Sequence, residues 1–211
     1  MKTLIAIPCM DMVHADFVRA LLGLQIRDEV QFTFAQSSLI YDARNILAGV
    51  AIDGGFDRVL WLDSDMSFDP TTFWRLHMDL DEGRECVSGL YFGRRPPYGP
   101  TIYKDVYFTH EDRWPTPHAD SYDDFPADSV FPIKACGFGC VMMTTELIRR
   151  VHEQFGSVFT PVSGFGEDLS FCLRAAEVGG QIWCDSSIKL GHVGLMTYTE
   201  ESFRGVSKLN I

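Results

Sequence analysis

The sequence predicts an α/β fold, with a doubly wound, mainly parallel sheet between two helix layers (a three-layer α/β/α arrangement). Strand-like and helix-like segments alternate through the first 91 residues, and the strand-like run 58–62 ends at two closely spaced aspartates. The 211 residues, of which 46% are hydrophobic, are enough to bury the core of one domain. We therefore expect residues 1–211 to form a single domain.

The predicted elements follow from residue periodicity, two for strands and 3.6 for helices. In the first half they are strand 4–8, helix 15–24, strand 30–36, helix 42–52, strand 59–62, helix 71–80 and strand 86–91. In the second half they are strand 135–143, helix 145–155, a helix that runs from 166 to 178, and short strands at 181–184 and 188–190. Because the first half alternates strand and helix, its strands should pair in parallel through helical crossovers.

Residues 92–132 differ in character from the rest of the chain. Seven of the ten prolines fall in this segment, interleaved with tyrosines, phenylalanines and a tryptophan. A long segment of this kind inside a domain is usually a functional loop. We predict a long irregular loop here.

Composition excludes several function classes. The net charge of −11 argues against a nucleic-acid partner, whose phosphates would be repelled. No apolar run reaches the ~18 residues of a membrane span, and the N-terminus has no signal-peptide pattern. The six cysteines are scattered without a CxxC pair, which suits reduced thiols, so we expect a cytosolic (cytoplasmic) protein.

The motif Asp63-Ser64-Asp65 is the strongest functional signal. Its two carboxylates follow a strand whose carboxyl end should open into a loop, where α/β sheets bind ligands. Carboxylate oxygens suit Mg²⁺ and Mn²⁺, which keep positions open for substrate phosphates. The alternative is a solvated turn or a helix cap, since Asp is favoured in both.

Three further motifs complete the candidate site: Arg44-Asn45 within a helix, Gly166-Glu167-Asp168 at a helix start, and Gly191-His192-Val193-Gly194. Each has a structural alternative. Arg44 could pair with Asp42, and the two carboxylates at 167 and 168 could complement the helix dipole. The glycines beside His192 favour an exposed, approachable imidazole over a core histidine.

This ordered set, with the opening strand Ile5-Ala6-Ile7-Pro8, resembles the GT-A fold of nucleotide-sugar glycosyltransferases, in particular the family 2-like group. The resemblance extends over residues 4–194. It implies a Rossmann-like fold and transfer of a sugar from a nucleoside-diphosphate sugar to an acceptor hydroxyl on a carbohydrate, glycan or other molecule. The 92–132 loop would then lie on the acceptor side.

The resemblance also implies a metal site. Asp65 matches the carboxylate that binds the metal directly, and His192 matches the histidine that completes the site. Asp63 is expected to hold the ribose or sugar, or to ligate the metal through water. An imidazole beside carboxylate and diphosphate oxygens favours Mn²⁺ (or Mg²⁺), which would neutralise charge on the departing diphosphate.

In the same way Asp168 matches the catalytic base of an inverting transfer, with its neighbour Glu167 as the second candidate. A positioned base typically contributes ~10²–10⁴-fold to the rate. The segment Cys136-Gly137-Phe138-Gly139 matches a glycine-rich, acceptor-facing stretch, and we expect Phe138 to line the acceptor site.

The positions that match the family's nucleotide pocket are Pro8, Cys9, Ser37, Ser38 and Arg44, together with Asp63 and Ser64. Many members carry an acidic residue after the second strand to recognise the base, whereas this chain has Gln36-Ser37-Ser38. UDP is the expected nucleotide, and this departure leaves the base less well defined than the rest of the site.

Three other function classes are open. A sugar nucleotidyltransferase would share the fold and the metal, but it would carry a Gly-rich, basic loop where this chain has Cys9-Met10-Asp11-Met12. A haloacid-dehalogenase-type phosphatase would place its two aspartates on the first strand. A non-catalytic nucleotide-sugar binding module would keep the fold and lose one of the chemical positions. The sequence does not define the oligomeric state.

Overall fold

The computed structural model describes residues 1–26, 28–110, 115–194 and 197–207. The strands are β1 (Lys2–Cys9), β2 (Glu29–Gln36), β3 (Arg58–Leu62), β4 (Met66–Ser67), β5 (Cys86–Leu90), β6 (Ile102–Thr109), β7 (Thr116–Ser121), β8 (Val130–Ile133), β9 (Ala135–Cys136), β10 (Cys140–Thr144), β11 (Ile182–Lys189), β12 (Gly191–Val193) and β13 (Thr197–Tyr198). The helices are α1 (Ala15–Gly23), α2 (Ile40–Asp53), α3 (Thr72–Asp81), α4 (Thr145–Phe155), α5 (Glu167–Glu177) and α6 (Glu200–Ser207).

The central sheet has seven strands in the order β2-β1-β3-β10-β5-β11-β8. Strand β1 pairs in parallel with both β2 and β3, and β11 pairs in parallel with β5. Strand β10 is antiparallel to β3 and β5, and β8 is antiparallel to β11. In this part of the structure five strands therefore point the same way, which confirms the predicted α/β class with a mainly parallel sheet.

Alternation along β1 shows why helices cover both faces of the sheet. Leu4 and Ala6 point into the core formed with α2, α4 and α5. Ile5 and Ile7 point into the core formed with α1 and α3. Since successive side chains of a strand face opposite sides, an apolar run buried on both faces requires a helix layer on each. The three layers agree with the prediction.

Residues 92–132 are more ordered than the predicted irregular loop. They contain the β6–β7 hairpin and lead into β8, and β6 also pairs with β9. Pro117 is accommodated because β7 lies at the edge of its three-stranded sheet, where a missing N–H breaks no ladder. Residues 111–114, which belong to the same predicted loop, lie outside the described residues.

Three further predicted strands differ from the structure. The strand predicted at 135–143 is divided into β9 and β10 by Gly137-Phe138-Gly139. The two short strands predicted at 181–190 form one strand, β11, with an irregularity between Asp185 and Lys189 in its pairing with β5.

A small three-stranded sheet, in the order β13-β12-β4, lies beyond the carboxyl end of β3. In it His192 pairs with Met66 and Gly191 with Ser67. A side chain at position 191 would collide with the Ser67 hydroxyl, so this close pairing requires glycine. The pairing brings the C-terminal region beside the loop that carries Asp65.

No described helix combines the length and the apolar character needed to cross a bilayer. The six cysteines are free thiols, and all except the half-buried Cys9 are buried.

A buried carboxyl group on α3 gives a prediction about stability. Asp79 is 8% exposed. Burial and the charge of Asp185 raise the pKa of Asp79 to about 6, against the opposing effect of Arg84. Because this pKa lies above the unfolded value, the folded state binds more protons, and the free energy of unfolding falls as pH rises from about 4 to about 6.

Asp79→Asn should therefore raise the free energy of unfolding at pH 7.5 by about 2 kcal/mol and leave it nearly unchanged near pH 4. Urea unfolding at the two pH values measures this, with the exposed Glu153→Gln as the charge-matched control. A loss of stability at pH 7.5 would contradict the prediction.

Candidate active site

The Asp63-Ser64-Asp65 motif forms the connection between β3 and β4, at the carboxyl end of the parallel strands. The Asp63 N–H donates to the Gly139 carbonyl (3.0 Å), and the Met66 N–H donates to the Asp63 carbonyl (3.2 Å). The Ser64 carbonyl accepts a hydrogen bond of 3.0 Å from the backbone of His14. The backbone of the motif is thus fixed by neighbouring elements, so its two carboxylates point in defined directions.

Arg44, on α2, connects Asp63 to the start of α5. Its Nη2 donates to Asp63 Oδ1 at 2.7 Å and its Nε donates to Glu167 Oε1 at 3.3 Å. The guanidinium is 2% exposed, and its carbon lies 5.3 Å from the centre of the Phe138 ring. Its third nitrogen, Nη1, is buried and has no hydrogen-bond partner in the described part of the chain.

The charged groups of this cluster stabilise one another's ionised states. Burial by itself would lower the pKa of Arg44, but Asp63, Glu167 and Asp168 raise it overall, so the guanidinium stays charged. Burial raises the pKa of Asp63, an effect that Arg44 opposes and the Asp65 carboxylate reinforces. A buried cation among carboxylates is stable only while these partners remain in place.

Asp168 is the second residue of α5, next to Glu167. Its Oδ1 accepts a hydrogen bond of 2.8 Å from the Leu169 N–H in the first helical turn. Burial and the neighbouring Glu167 charge raise the pKa of Asp168 to about 6. A carboxylate with a pKa raised towards neutrality is a better proton acceptor than an ordinary surface aspartate.

Asp65 points to the other side of the motif, towards His192 and Arg94. His192 Nε2 lies 3.6 Å and Arg94 Nη1 2.8 Å from the same oxygen, Asp65 Oδ2. Burial alone would raise the pKa of Asp65, but His192 and Arg94 lower it overall. Asp65 is therefore an anionic carboxylate held between His192 and Arg94.

Asp65 and His192 offer two of the ligands that the expected divalent cation needs. His192 Nδ1 is 3.0 Å from the Phe92 carbonyl, which can only accept, so Nδ1 donates there and Nε2 is the ring nitrogen that faces Asp65. An imidazole nitrogen and a carboxylate oxygen fit Mn²⁺ or Mg²⁺, with diphosphate and water as the remaining ligands. In the described residues no three His, Cys, Asp or Glu side chains are grouped as a complete metal site.

Asp63 has a different partner. Its Oδ1 is already bound by Arg44. Of the two carboxylates in the motif, Asp63 is therefore the one held by the buried Arg44.

Tyr91, the residue after β5, contacts both His192 and the segment between β9 and β10. Its ring packs edge-on against His192, with centroids 5.4 Å apart, and its hydroxyl accepts a hydrogen bond from the Gly139 N–H at 3.1 Å. A Cβ at Gly139 would lie 2.8 Å from the tyrosine ring, and one at Gly137 would collide with the hydroxyl. The two glycines therefore leave room for Tyr91.

Phe138, between these glycines, does not line an acceptor site as the sequence suggests. It is buried, and its ring packs against Trp61, Phe159 and Phe171. Its ring lies against the Arg44 guanidinium instead.

Four of the predicted nucleotide-pocket residues lie at the ends of β1, which pairs with β3, and of β2, which pairs with β1. Pro8 and Cys9 are the last residues of β1, and Ser37 and Ser38 follow β2. The Ser37 N–H donates to the Cys9 carbonyl at 3.2 Å, and the Ser37 hydroxyl accepts from the Leu39 N–H at 3.1 Å, where α2 begins. They share the strand-end edge with Asp63, and Ser37 connects the end of β1 to Leu39, the residue before α2.

The structure thus joins Arg44, Asp63 and Glu167 directly, brings Asp168 next to them, and places His192 beside Asp65. Sequence reasoning missed Tyr91 and Arg94. One feature of the sequence could have indicated Tyr91 as a site residue: its hydroxyl lies at the carboxyl end of a predicted parallel strand. For Arg94 the sequence offered no indication beyond its basic charge.

Neither a protein-family profile nor a curated protein sequence matches the chain. Solved structures do. The crystal structure of A197 from STIV aligns with a TM-score of 0.67 at 19% identity, over 92% of this chain and 86% of that one. GalNAc-T7, crystallised with UDP, GalNAc and Mn²⁺, aligns with a TM-score of 0.60 at 10% identity, over 99% of this chain and 47% of that one.

At these identities the comparisons show the fold. The chain has a GT-A-like, Rossmann-type α/β fold, shared with A197 and with about half of GalNAc-T7.

The Arg44 cluster gives a prediction about folding energetics. Arg44→Gln leaves two partly buried carboxylates without their cation, so we expect the free energy of unfolding at pH 7 to fall by roughly 2–4 kcal/mol. Arg149→Gln is the matched control, because it removes an exposed pair with Glu146 whose expected contribution is at most ~1 kcal/mol. Chemical denaturation measures both, and equal losses in the two variants would contradict the prediction.

Proposed function

We propose that the chain is a GT-A glycosyltransferase of the family 2-like type that transfers a sugar from a UDP-sugar to an acceptor hydroxyl, with inversion. One observation carries the proposal. Two groups of functional side chains, Asp65 with His192 and Asp63 with Arg44 and Glu167, meet at the strand ends of a fold shared with GalNAc-T7, which was crystallised with UDP, GalNAc and Mn²⁺.

In this proposal the donor lies across the carboxyl ends of β1, β2 and β3. Pro8, Cys9, Ser37 and Ser38 border the nucleoside, and the Ser64 backbone lies along the same edge. Asp63, held by Arg44 at 2.7 Å, accepts hydrogen bonds from ribose or sugar hydroxyls. Open α/β sheets bind ligands at this edge.

The diphosphate lies beside Asp65 and His192, which would hold Mn²⁺ or Mg²⁺. When bound, this cation neutralises the negative charge that develops on the leaving nucleoside diphosphate. Tyr91 keeps the His192 ring in position through their edge-on contact.

The transfer itself is a single displacement. Asp168 takes the proton from the acceptor hydroxyl as that oxygen forms its bond to the anomeric carbon. The bond from that carbon to the diphosphate oxygen breaks, and its electron pair leaves with the nucleoside diphosphate. Glu167 is engaged by Arg44, so Asp168 is the better placed of the two candidate bases.

The proposal is tested first by ligand-dependent stability. Thermal melting with Mn²⁺ and either UDP or GDP should show stabilisation that requires both the cation and the nucleotide, larger for UDP. Absence of any shift with either nucleotide would contradict the proposal. A shift without turnover of any donor in a screen for released nucleoside diphosphate would indicate a binding module.

Two substitutions should separate binding from catalysis. Asp65→Ala should weaken binding of UDP with Mn²⁺ by tenfold or more, because the carboxylate that faces the cation is lost. Asp168→Asn should leave this binding unchanged and lower kcat by ~10²–10⁴-fold. Calorimetry and turnover assays measure the two effects, with the surface variant Glu153→Gln as control. Near-normal turnover of Asp168→Asn would show that the base is another residue.

Turnover should also depend on pH through Asp168. Because burial and Glu167 raise the pKa of Asp168 to about 6, the carboxylate becomes protonated, and the base is lost, as pH falls through that value. We expect kcat/KM to rise with pH and to be half-maximal near pH 6. Glu167→Gln removes one cause of the raised pKa, so it should move this limb to lower pH. An unchanged limb in Glu167→Gln would contradict the assignment.

A further inference from the structure

Arg94 is a charged residue at the site for which the roles described above leave no part. Its Nη1 binds Asp65 Oδ2 at 2.8 Å and donates to the Val193 carbonyl at 3.2 Å. The Val193 N–H in turn donates to the Asp65 carbonyl at 2.7 Å. The guanidinium therefore bridges the Asp65 side chain and the end of β12.

The backbone that carries Arg94 is anchored beside the same site. The Gly93 N–H donates to the Gly99 carbonyl at 2.9 Å, and Phe92 forms a bridge with Pro100. The Phe92 carbonyl is also the acceptor for His192 Nδ1. The side chain of Arg94 is 45% exposed, so its head group has room to leave Asp65 while its backbone stays next to His192.

Arg94 and a divalent cation make competing demands on one atom. Asp65 Oδ2 is the oxygen that faces His192 Nε2, at 3.6 Å, and it is also the oxygen that Arg94 binds. A cation held between the carboxylate and the imidazole would sit beside the guanidinium, and two positive charges at such a distance repel each other. Occupation by one therefore disfavours occupation by the other.

We propose that Arg94 is an exchangeable counter-ion of the donor site: it holds Asp65 while the site is empty, gives way to the divalent cation, and then binds the donor diphosphate. The proposal rests on the proposed function, since it assumes a cation and a diphosphate at this edge. The planar guanidinium suits both partners, because it forms paired hydrogen bonds with carboxylate and phosphate oxygens alike.

The expected effects are opposite in sign for the two ligands. An ion pair as exposed as this one contributes little, so removing Arg94 should tighten Mn²⁺ binding only about two- to fivefold. Loss of a charge-assisted contact to the diphosphate should weaken nucleotide binding roughly tenfold. A merely structural role for Arg94 would not produce gains and losses together.

The experiment uses the full chain and its variants Arg94→Ala, Arg94→Lys and Arg95→Ala. Isothermal titration calorimetry measures binding of Mn²⁺ alone and then binding of UDP or GDP, whichever stabilises the wild type, at saturating Mn²⁺. Arg95→Ala is the matched control, because it removes the same charge from the exposed neighbouring position. Arg94→Lys keeps the charge without the planar fork, so it should restore Mn²⁺ affinity to near the wild-type value and nucleotide affinity only in part.

The proposal stands if Arg94→Ala binds Mn²⁺ more tightly and nucleotide more weakly while Arg95→Ala changes neither by more than about twofold. It is overturned if Arg94→Ala behaves like Arg95→Ala, or if both affinities fall together. If the wild type binds neither Mn²⁺ nor a nucleotide, the proposed function itself fails, which is a distinct result. Binding by the wild type with no effect of Arg94 rejects only the counter-ion role.

Discussion

The arrangement of the site depends on one buried charge, the guanidinium of Arg44. A cation that is 2% exposed and lies over the Phe138 ring must be paired, and its partners Asp63 and Glu167 come from two other elements. Pairing therefore fixes α2 relative to the β3–β4 connection and to the first turn of α5. Because α5 begins at Glu167, the position of the next residue, Asp168, follows from the same contact.

The two aspartates of the motif acquire different properties from this arrangement. Asp63 faces inward to Arg44, and burial raises its pKa. Asp65 faces outward, where His192 and Arg94 lower its pKa overall against the effect of burial. Two carboxylates separated by one residue thus have different partners, the buried guanidinium of Arg44 for Asp63 and the half-exposed Arg94 with His192 for Asp65. The spacing in the sequence allows this difference, but only the partners supplied by α2, β12 and the segment after β5 produce it.

The sequence predicted those elements whose pattern is carried by their own residues. The strand expected at 59–62 is Arg58–Leu62, and the helix expected at 145–155 is Thr145–Phe155. It did not predict β4 and β12, which have two and three residues and exist through pairing with each other. The break at Gly137-Phe138-Gly139 was missed because the space that requires it is filled by Tyr91, 48 residues away from Gly139. The candidate site residues could be named from local motifs, whereas the contacts between them could not, since Arg44 and Glu167 are 123 positions apart.

In the proposed function, the balance of charge explains why donor binding at this edge should require an added cation. Four carboxylates, Asp63, Asp65, Glu167 and Asp168, lie around the strand ends of a chain whose net charge is −11. Arg44 and Arg94 are the guanidiniums in direct contact with three of them. Both are already engaged, so an arriving diphosphate would meet an edge that is negative overall. In the proposed function a divalent cation at Asp65 would change this in two ways: it would add positive charge itself, and by displacing Arg94 it would make a second positive group available to the phosphates.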